Sequence, residues 1–188
     1  MVPPVLSPSG PRAGVKPAPT LVFVLGLPLL AGCNTCLHQA EAPCLEPTQV
    51  TVTQVIDGDT FDFEPALELP DGSTVDRGRL LCVDTPELTG GECYGDEAKQ
   101  WLTDRLDGEE VTLHFADECT GTYDRALVYV VKGTELVNVE VAREGFALPM
   151  DEWFSDYPCC DDVGEAVSQA QDAGVGGWGY CGGYPWVE

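Results

Sequence analysis

Asp59, Arg79, Asp84, Glu87 and Arg125, with Thr85 beside them, are side chains whose types and order suit phosphodiester hydrolysis. The arginines carry the most information, because the chain holds 9 Lys+Arg against 32 Asp+Glu. A positive charge is rare here, and two of the few stand where a phosphate would be read. Cleaving a phosphodiester requires an attacking water to lose a proton, the non-bridging oxygens to be neutralised and the leaving alkoxide to be stabilised. A hard divalent cation, a carboxylate base and arginines supply these together. Two aspartate oxygens and a backbone carbonyl suit Ca²⁺, which takes about six to eight oxygen ligands. Asp59 and Asp84 are the candidate carboxylates. Thr85 is the candidate carbonyl, because Pro86 biases it towards an extended conformation. Arg79 lies five residues before Asp84 on what reads as the same strand. Its guanidinium can fork onto two phosphate oxygens. Glu87, three residues past Asp84, is placed to activate a water. Singly, each residue has a blander reading. Asp57 and Asp59 suit a turn, and Asp84-Thr85-Pro86-Glu87 suits a helix N-cap followed by a first-turn glutamate. Their order, together with both arginines, favours a site.

These residues need strands to bring them together. Residues 48–56 alternate apolar and polar, with Val50, Val52 and Val55 on one side, and predict a strand. Asp57-Gly58-Asp59 signals a turn, residues 60–64 resume as a strand, and Pro70-Asp71-Gly72 marks the next turn. Residues 73–83 predict a third strand, stopped at Asp84-Thr85-Pro86. Residues 94–106 have helical period, with Ala98, Trp101, Leu102 and Leu106 on one face and Gly108 just past the end. Residues 111–115 and 126–131 predict two more strands, and residues 135–143 and 162–173 two more helices. Three strands, a helix, two strands and two helices form the order of an OB-type five-stranded Greek-key barrel with about three helices, an α+β architecture.

The remaining composition bounds where such a domain works. Residues 1–32 hold no acidic residue, many prolines and an apolar run of about 11 residues, too short for a membrane span of about 20. It has the length of a signal-peptide core. Leu30-Ala31-Gly32-Cys33 reads as a lipoprotein site, with Cys33 as the lipid anchor; an ordinary secretory cut near Ala31 or Gly32 is the alternative. The expected organisation is a signal segment over 1–32, a tether over 33–47 and one domain over 48–188. The product is expected to be exported and held at the bacterial cell envelope only through that lipid, as a monomer. Removing 1–32 takes away two basic residues and no acidic one, leaving a formal charge of −25. That charge repels polyanions at long range and attracts divalent cations. Beyond Cys33 there remain Cys36, Cys44, Cys82, Cys93, Cys119, Cys159, Cys160 and Cys181, an even set that reads as a disulfide framework in an exported chain. The adjacent Cys159 and Cys160 are expected to bond different partners, and Cys181 to pin the tail. Cys82, mid-strand in the predicted core, is the expected exception. Zinc is the rival use, but His38 and His114 lack ligand spacing.

Five ordered segments carry a resemblance. Val55-Ile56-Asp57-Gly58-Asp59-Thr60, Arg79 through Asp84-Thr85-Pro86-Glu87, Tyr94-Gly95-Asp96-Glu97-Ala98, Tyr123-Asp124-Arg125, and Val137-Asn138 through Gly145-Phe146-Ala147 are together similar to the staphylococcal nuclease family. The resemblance runs from about residue 48 to 178. It implies that Asp59, Asp84 and the Thr85 carbonyl ligate calcium and that Glu87 is the general base. It implies that Arg79 and Arg125 grip the scissile phosphate and that Tyr123 touches a terminal phosphate. It also implies cleavage of single-stranded DNA and RNA on the 5′-oxygen side, leaving 3′-phosphates. The chain departs from the family at Gly121-Thr122-Tyr123-Asp124-Arg125, where Asp124 could pair with Arg125 and blunt its charge. The family often has base-stacking tyrosines after the position of Ala147. Here Trp153, Phe154 or Tyr157 could substitute, or could instead pack around Cys159-Cys160. Without a basic surface, affinity for long nucleic acid is expected to be weak. A non-catalytic OB-type module that binds Ca²⁺ or a partner is the alternative from another class.

Overall fold

The computed structural model describes residues 36–37, 43–89, 91–149 and 157–181. The expected signal segment, Cys33, most of the tether, Trp153 and Phe154 lie outside the described residues. Among the described residues no helix is long and apolar enough to cross a membrane.

Five strands close into a barrel. β1 (Thr48–Val55) pairs antiparallel with β2 (Thr60–Glu68) on one side and with β5 (Glu110–Thr120) on the other. Val50, Val52 and Val55 of β1 are buried, and a register shift between Val52 and Gln54 resets the alternation so that Val55 also turns inward. β3 (Thr74–Leu80) pairs with β2, and β6 (Ala126–Lys132) with β5. The barrel closes where β3 runs parallel to β6, with Gly78 opposite Ala126, Arg79 opposite Leu127 and Leu80 opposite Val128. Gly78 is required at that seam: a Cβ there would stand 2.8 Å from Cζ of the fully buried Phe61. The interior is filled from all five strands by Val52, Phe61, Leu80, Leu113, Val128 and Val130, which anchor one continuous core.

The third strand is shorter than the sequence suggests. It stops at Leu80. Leu81 then donates its N–H to Val128 O at 2.9 Å, and Cys82 turns the chain at φ 64°. Val83–Asp84 forms a separate short strand, β4, paired with β8 (Leu148–Pro149). The corner is locked from inside by Asn138, which is fully buried. Asn138 Nδ2 donates to Leu81 O at 3.0 Å and to Val128 O at 3.1 Å, while its Oδ1 accepts from Val130 N–H at 2.9 Å. An apolar run continued past Leu81 looks like strand in sequence; a buried amide 57 residues further along the chain cannot be read from it.

The helices cover the barrel. α1 (Gly95–Leu106) buries Ala98, Leu102 and Leu106, as its period demands. After β7 (Glu135–Leu136), a short strand on β6, comes α2 (Val137–Arg143). α3 (Cys160–Ala173) buries Val163, Ala166, Val167 and Ala170, a single stripe, and ends at Gly174 with φ 63°. A last turn, α4 (Gly177–Tyr180), follows.

All eight cysteines beyond Cys33 are paired. Cys36 bonds Cys159, Cys44 bonds Cys119, Cys82 bonds Cys160 and Cys93 bonds Cys181. The adjacent cysteines do take different partners, and Cys181 does pin the tail. Cys82 is not the exception: it is buried at 2% exposure and bonded as well. Because the chain turns at Cys82 instead of continuing as strand, its side chain meets the N-terminus of α3.

Candidate active site

The Asp57-Gly58-Asp59 turn sets the first carboxylate. Asp59 N–H donates to Asp57 Oδ1 at 3.1 Å, and both Ile56 and Asp57 N–H groups donate to Thr60 O. Asp57 is therefore a turn residue. Only glycine fits at position 58, where a Cβ would stand 2.6 Å from Thr85 Oγ1 and 2.8 Å from Ala98 Cβ. The turn is thus pressed against both the loop after β4 and the first turns of α1.

Asp59 is buried, with a side chain 3% exposed. Its Oδ1 accepts from Arg79 Nη1 at 2.7 Å and from Thr60 Oγ1 at 2.8 Å, and its Oδ2 faces Thr85 N–H at 3.4 Å. Arg79 stands opposite Thr60 across the β2–β3 ladder and donates its other nitrogen, Nη2, to Asp84 Oδ1 at 2.7 Å. One guanidinium therefore spans both aspartates. Arg79 and Asp84 belong to separate strands, not to one strand, and the Leu81–Cys82 corner folds Asp84 back beside Arg79. Burial pushes the Asp59 carboxyl up to about 7, against the opposing pull of Arg79 and with a further push from Asp57.

Glu87 is exposed on the loop after Pro86. Partial burial raises its carboxyl above the usual range, with the negative charges of Asp57 and Asp84 adding and Arg79 opposing. The charges that act on it are those of Asp57, Arg79 and Asp84, so it borders that cluster, together with that of Glu92 on its own loop. The helix N-cap reading of Asp84–Glu87 does not hold, since α1 starts only at Gly95.

Arg125 precedes β6, and its Nη1 donates to Thr60 Oγ1 at 3.4 Å. The Thr60 hydroxyl thus connects Arg125 to Asp59, a role with no periodic or motif signal beyond its place after the aspartate. Arg125 Nε is buried without a hydrogen-bond partner. Its guanidinium lies 5.5 Å from the Tyr123 ring centroid, and Tyr123 is 82% exposed. Tyr123 and Asp124 both adopt left-handed backbone, φ 70° and 54°, and among the described residues Asp124 makes no ion pair with Arg125. Tyr157, by contrast, packs half-buried against the core, where burial and the neighbouring Glu118 and Asp117 push its hydroxyl up to about 12. Of its two readings, packing is the one observed.

Arg79 brings the Asp59 and Asp84 carboxylates to one guanidinium, and Asp57 and Glu87 add negative charge nearby. That chemistry fits a divalent cation held by Asp59 and Asp84. The partnerless Arg125 Nε fits an anion.

A family profile described as "Staphylococcal nuclease homologue" matches residues 77–180. A thermonuclease of Staphylococcus intermedius is 36% identical over 124 residues, spanning 64% of this chain and 67% of that protein. A thermonuclease of Staphylococcus hyicus is 32% identical over 124 residues, spanning 64% and 69%. With a closed five-stranded barrel and the profile match across more than half its length, the chain belongs to the staphylococcal nuclease family.

Proposed function

We propose that this nuclease is a Ca²⁺-dependent phosphodiesterase that hydrolyses single-stranded DNA and RNA. The observation that carries the reading is the convergence of Asp59, Asp84 and Arg79 at 2.7 Å contacts, with Arg125 joined to them through Thr60 and its Nε unpartnered. Asp59, Asp84 and the Thr85 carbonyl would hold the ion, which supplies Lewis-acid polarisation of the phosphate when bound. Glu87 takes the proton of the attacking water, and its raised carboxyl is a better base for that task than an ordinary glutamate. Arg79 and Arg125 hold the non-bridging oxygens and meet the charge that develops at phosphorus. Tyr123 is exposed beside Arg125, which supports its reading as a contact to a terminal phosphate.

The acidic surface supports short or single-stranded substrates and weak affinity for long polymers, since only local contacts can offset long-range repulsion. We further place the protein outside the cytoplasm, as a monomer lipidated at Cys33. Leu30-Ala31-Gly32-Cys33 and the four disulfides support that reading.

Digestion of a single-stranded oligonucleotide with Ca²⁺, with EGTA, and with Glu87→Gln tests the mechanism. Cutting should require Ca²⁺ and fall by about 10²-fold or more in the variant. Undiminished cutting in EGTA, or a variant as fast as the parent, would overturn it. Ca²⁺ binding with no cutting under any condition would point to a binding module instead.

A further inference from the structure

The loop that carries Glu87 is braced at its far end, and the brace is no part of the ion and phosphate contacts. Glu92 Oε2 accepts a hydrogen bond from Glu87 N–H at 2.8 Å, and Glu92 N–H donates to Glu87 O at 3.3 Å. The two residues clasp each other across the tip, which is tightened by Gly91 N–H donating to Leu88 O at 3.2 Å. Glu92 O in turn accepts from Gly95 N–H at 3.2 Å, tying the clasp to the first residue of α1. The next residue, Cys93, is bonded to Cys181, which directly follows α4. Rings on either side continue the contact: Tyr94 lies 5.6 Å from Tyr180 and 5.5 Å from Phe146.

We propose that Glu92, held by the Cys93–Cys181 disulfide, is a positioning residue for Glu87. This rests on the reading of Glu87 as the base. The bond runs from the Glu92 carboxylate to the backbone of Glu87, so it fixes the direction in which the Glu87 side chain leaves the chain and leaves its carboxylate free for a water. Glu87 is exposed, so side-chain packing does not hold it. A base that swings on a loop spends little time in reach of its proton, and the loss falls on turnover more than on substrate capture. The tail beyond α3 acquires a purpose by the same geometry: it straps the catalytic loop covalently.

Four forms test this: Glu92→Ala, Glu92→Gln, Cys93→Ser with Cys181→Ser, and Cys36→Ser with Cys159→Ser. Glu92→Ala and the Cys93/Cys181 pair should each lower kcat about 10-fold with KM changed less than about 2-fold. Glu92→Gln retains a carbonyl acceptor for Glu87 N–H and should recover most of kcat. The Cys36/Cys159 pair should lower the melting temperature but leave kcat intact well below it. Amide exchange at Glu87, read by mass spectrometry, should quicken by about 10-fold or more in Glu92→Ala. That measurement needs no cutting. Unchanged exchange at Glu87 would overturn the brace even if every form cuts, whereas a parent protein that cuts nothing would sink the base assignment and leave exchange to decide the brace. Equal kcat losses in Glu92→Gln and Glu92→Ala would also overturn it.

Discussion

A buried aspartate whose carboxyl is pushed up makes the metal-free fold lose stability as pH rises, and Asp59 is such a group. Unfolded, an aspartate titrates near 3.8; in the fold, burial carries Asp59 to about 7. Below the unfolded value both states hold the proton and the contribution to stability is fully present. Between the two values the folded state binds a proton that the unfolded state has released, so stability falls with pH by about 1.4 kcal/mol per unit. Above the folded value both are ionised and the loss is complete. The interval of about three units corresponds to a loss of about 4 kcal/mol at most. About 1 kcal/mol moves the melting temperature by about 2–4 °C in a domain of this size, so the Asp59 contribution reaches about 8–16 °C.

Other carboxylates also repel one another more as pH rises, so the parent slope alone does not isolate Asp59. The decisive comparison is with Asp59→Asn, which keeps shape and loses the titration. Melting in EGTA at about pH 4.5 and about pH 7.5 gives a slope for each protein, and the parent should be steeper by most of the predicted interval. A bound divalent cation stabilises the ionised carboxylate, so Ca²⁺ should flatten the parent slope and leave that of Asp59→Asn almost unchanged. Equal slopes in EGTA would refute the claim that burial outweighs Arg79 at this carboxylate.

Thr60→Val keeps volume but removes the hydroxyl between Asp59 and Arg125, and should lower kcat/KM for a single-stranded oligonucleotide about 10-fold at saturating Ca²⁺; an unaltered value would show that Arg125 is aligned without it. The four disulfides close 75 to 123 residues each, worth about 4–5 kcal/mol apiece by loop-closure entropy. Excess dithiothreitol should therefore unfold the domain at ambient temperature, and a melting temperature that stays put would show the bridges dispensable. Raising NaCl from about 0.01 M to about 0.1 M shortens the screening length from about 30 to about 10 Å, so kcat/KM at saturating Ca²⁺ should rise where a basic nuclease would slow. A steady fall from the lowest salt would show that local arginine contacts, not the overall charge of −23, govern encounter.

The barrel was legible because its strands announce themselves locally. Val50, Val52 and Val55 alternate, turn residues punctuate them, and α1 carries its apolar stripe at Ala98, Leu102 and Leu106. What escaped was decided by tertiary partners. Nothing in Leu80-Leu81-Cys82-Val83 marks a corner, since the corner is made by Asn138, 57 residues from the Leu81 carbonyl it binds. The same corner hid the fate of Cys82, whose partner was visible as a cysteine but not as a neighbour. Cysteine count gave pairing, and adjacency gave different partners for Cys159 and Cys160. Connectivity needed the fold.

The candidate site was legible for a different reason: in a chain this acidic, an arginine needs a cause. Arg77, the counterexample, forms an exposed ion pair with Asp62 at 2.6 Å, so rarity alone does not mark function. Arg79 differs because it is buried between two aspartates, and Arg125 because its Nε has no partner at all. The carboxylates that outnumber them have two effects at once. Across the surface they hold polyanions off, and within the cluster they leave a net negative charge that a divalent cation would offset. On the proposed mechanism the ion would serve twice, in the chemistry at phosphorus and in the local reversal of charge that lets a phosphate approach.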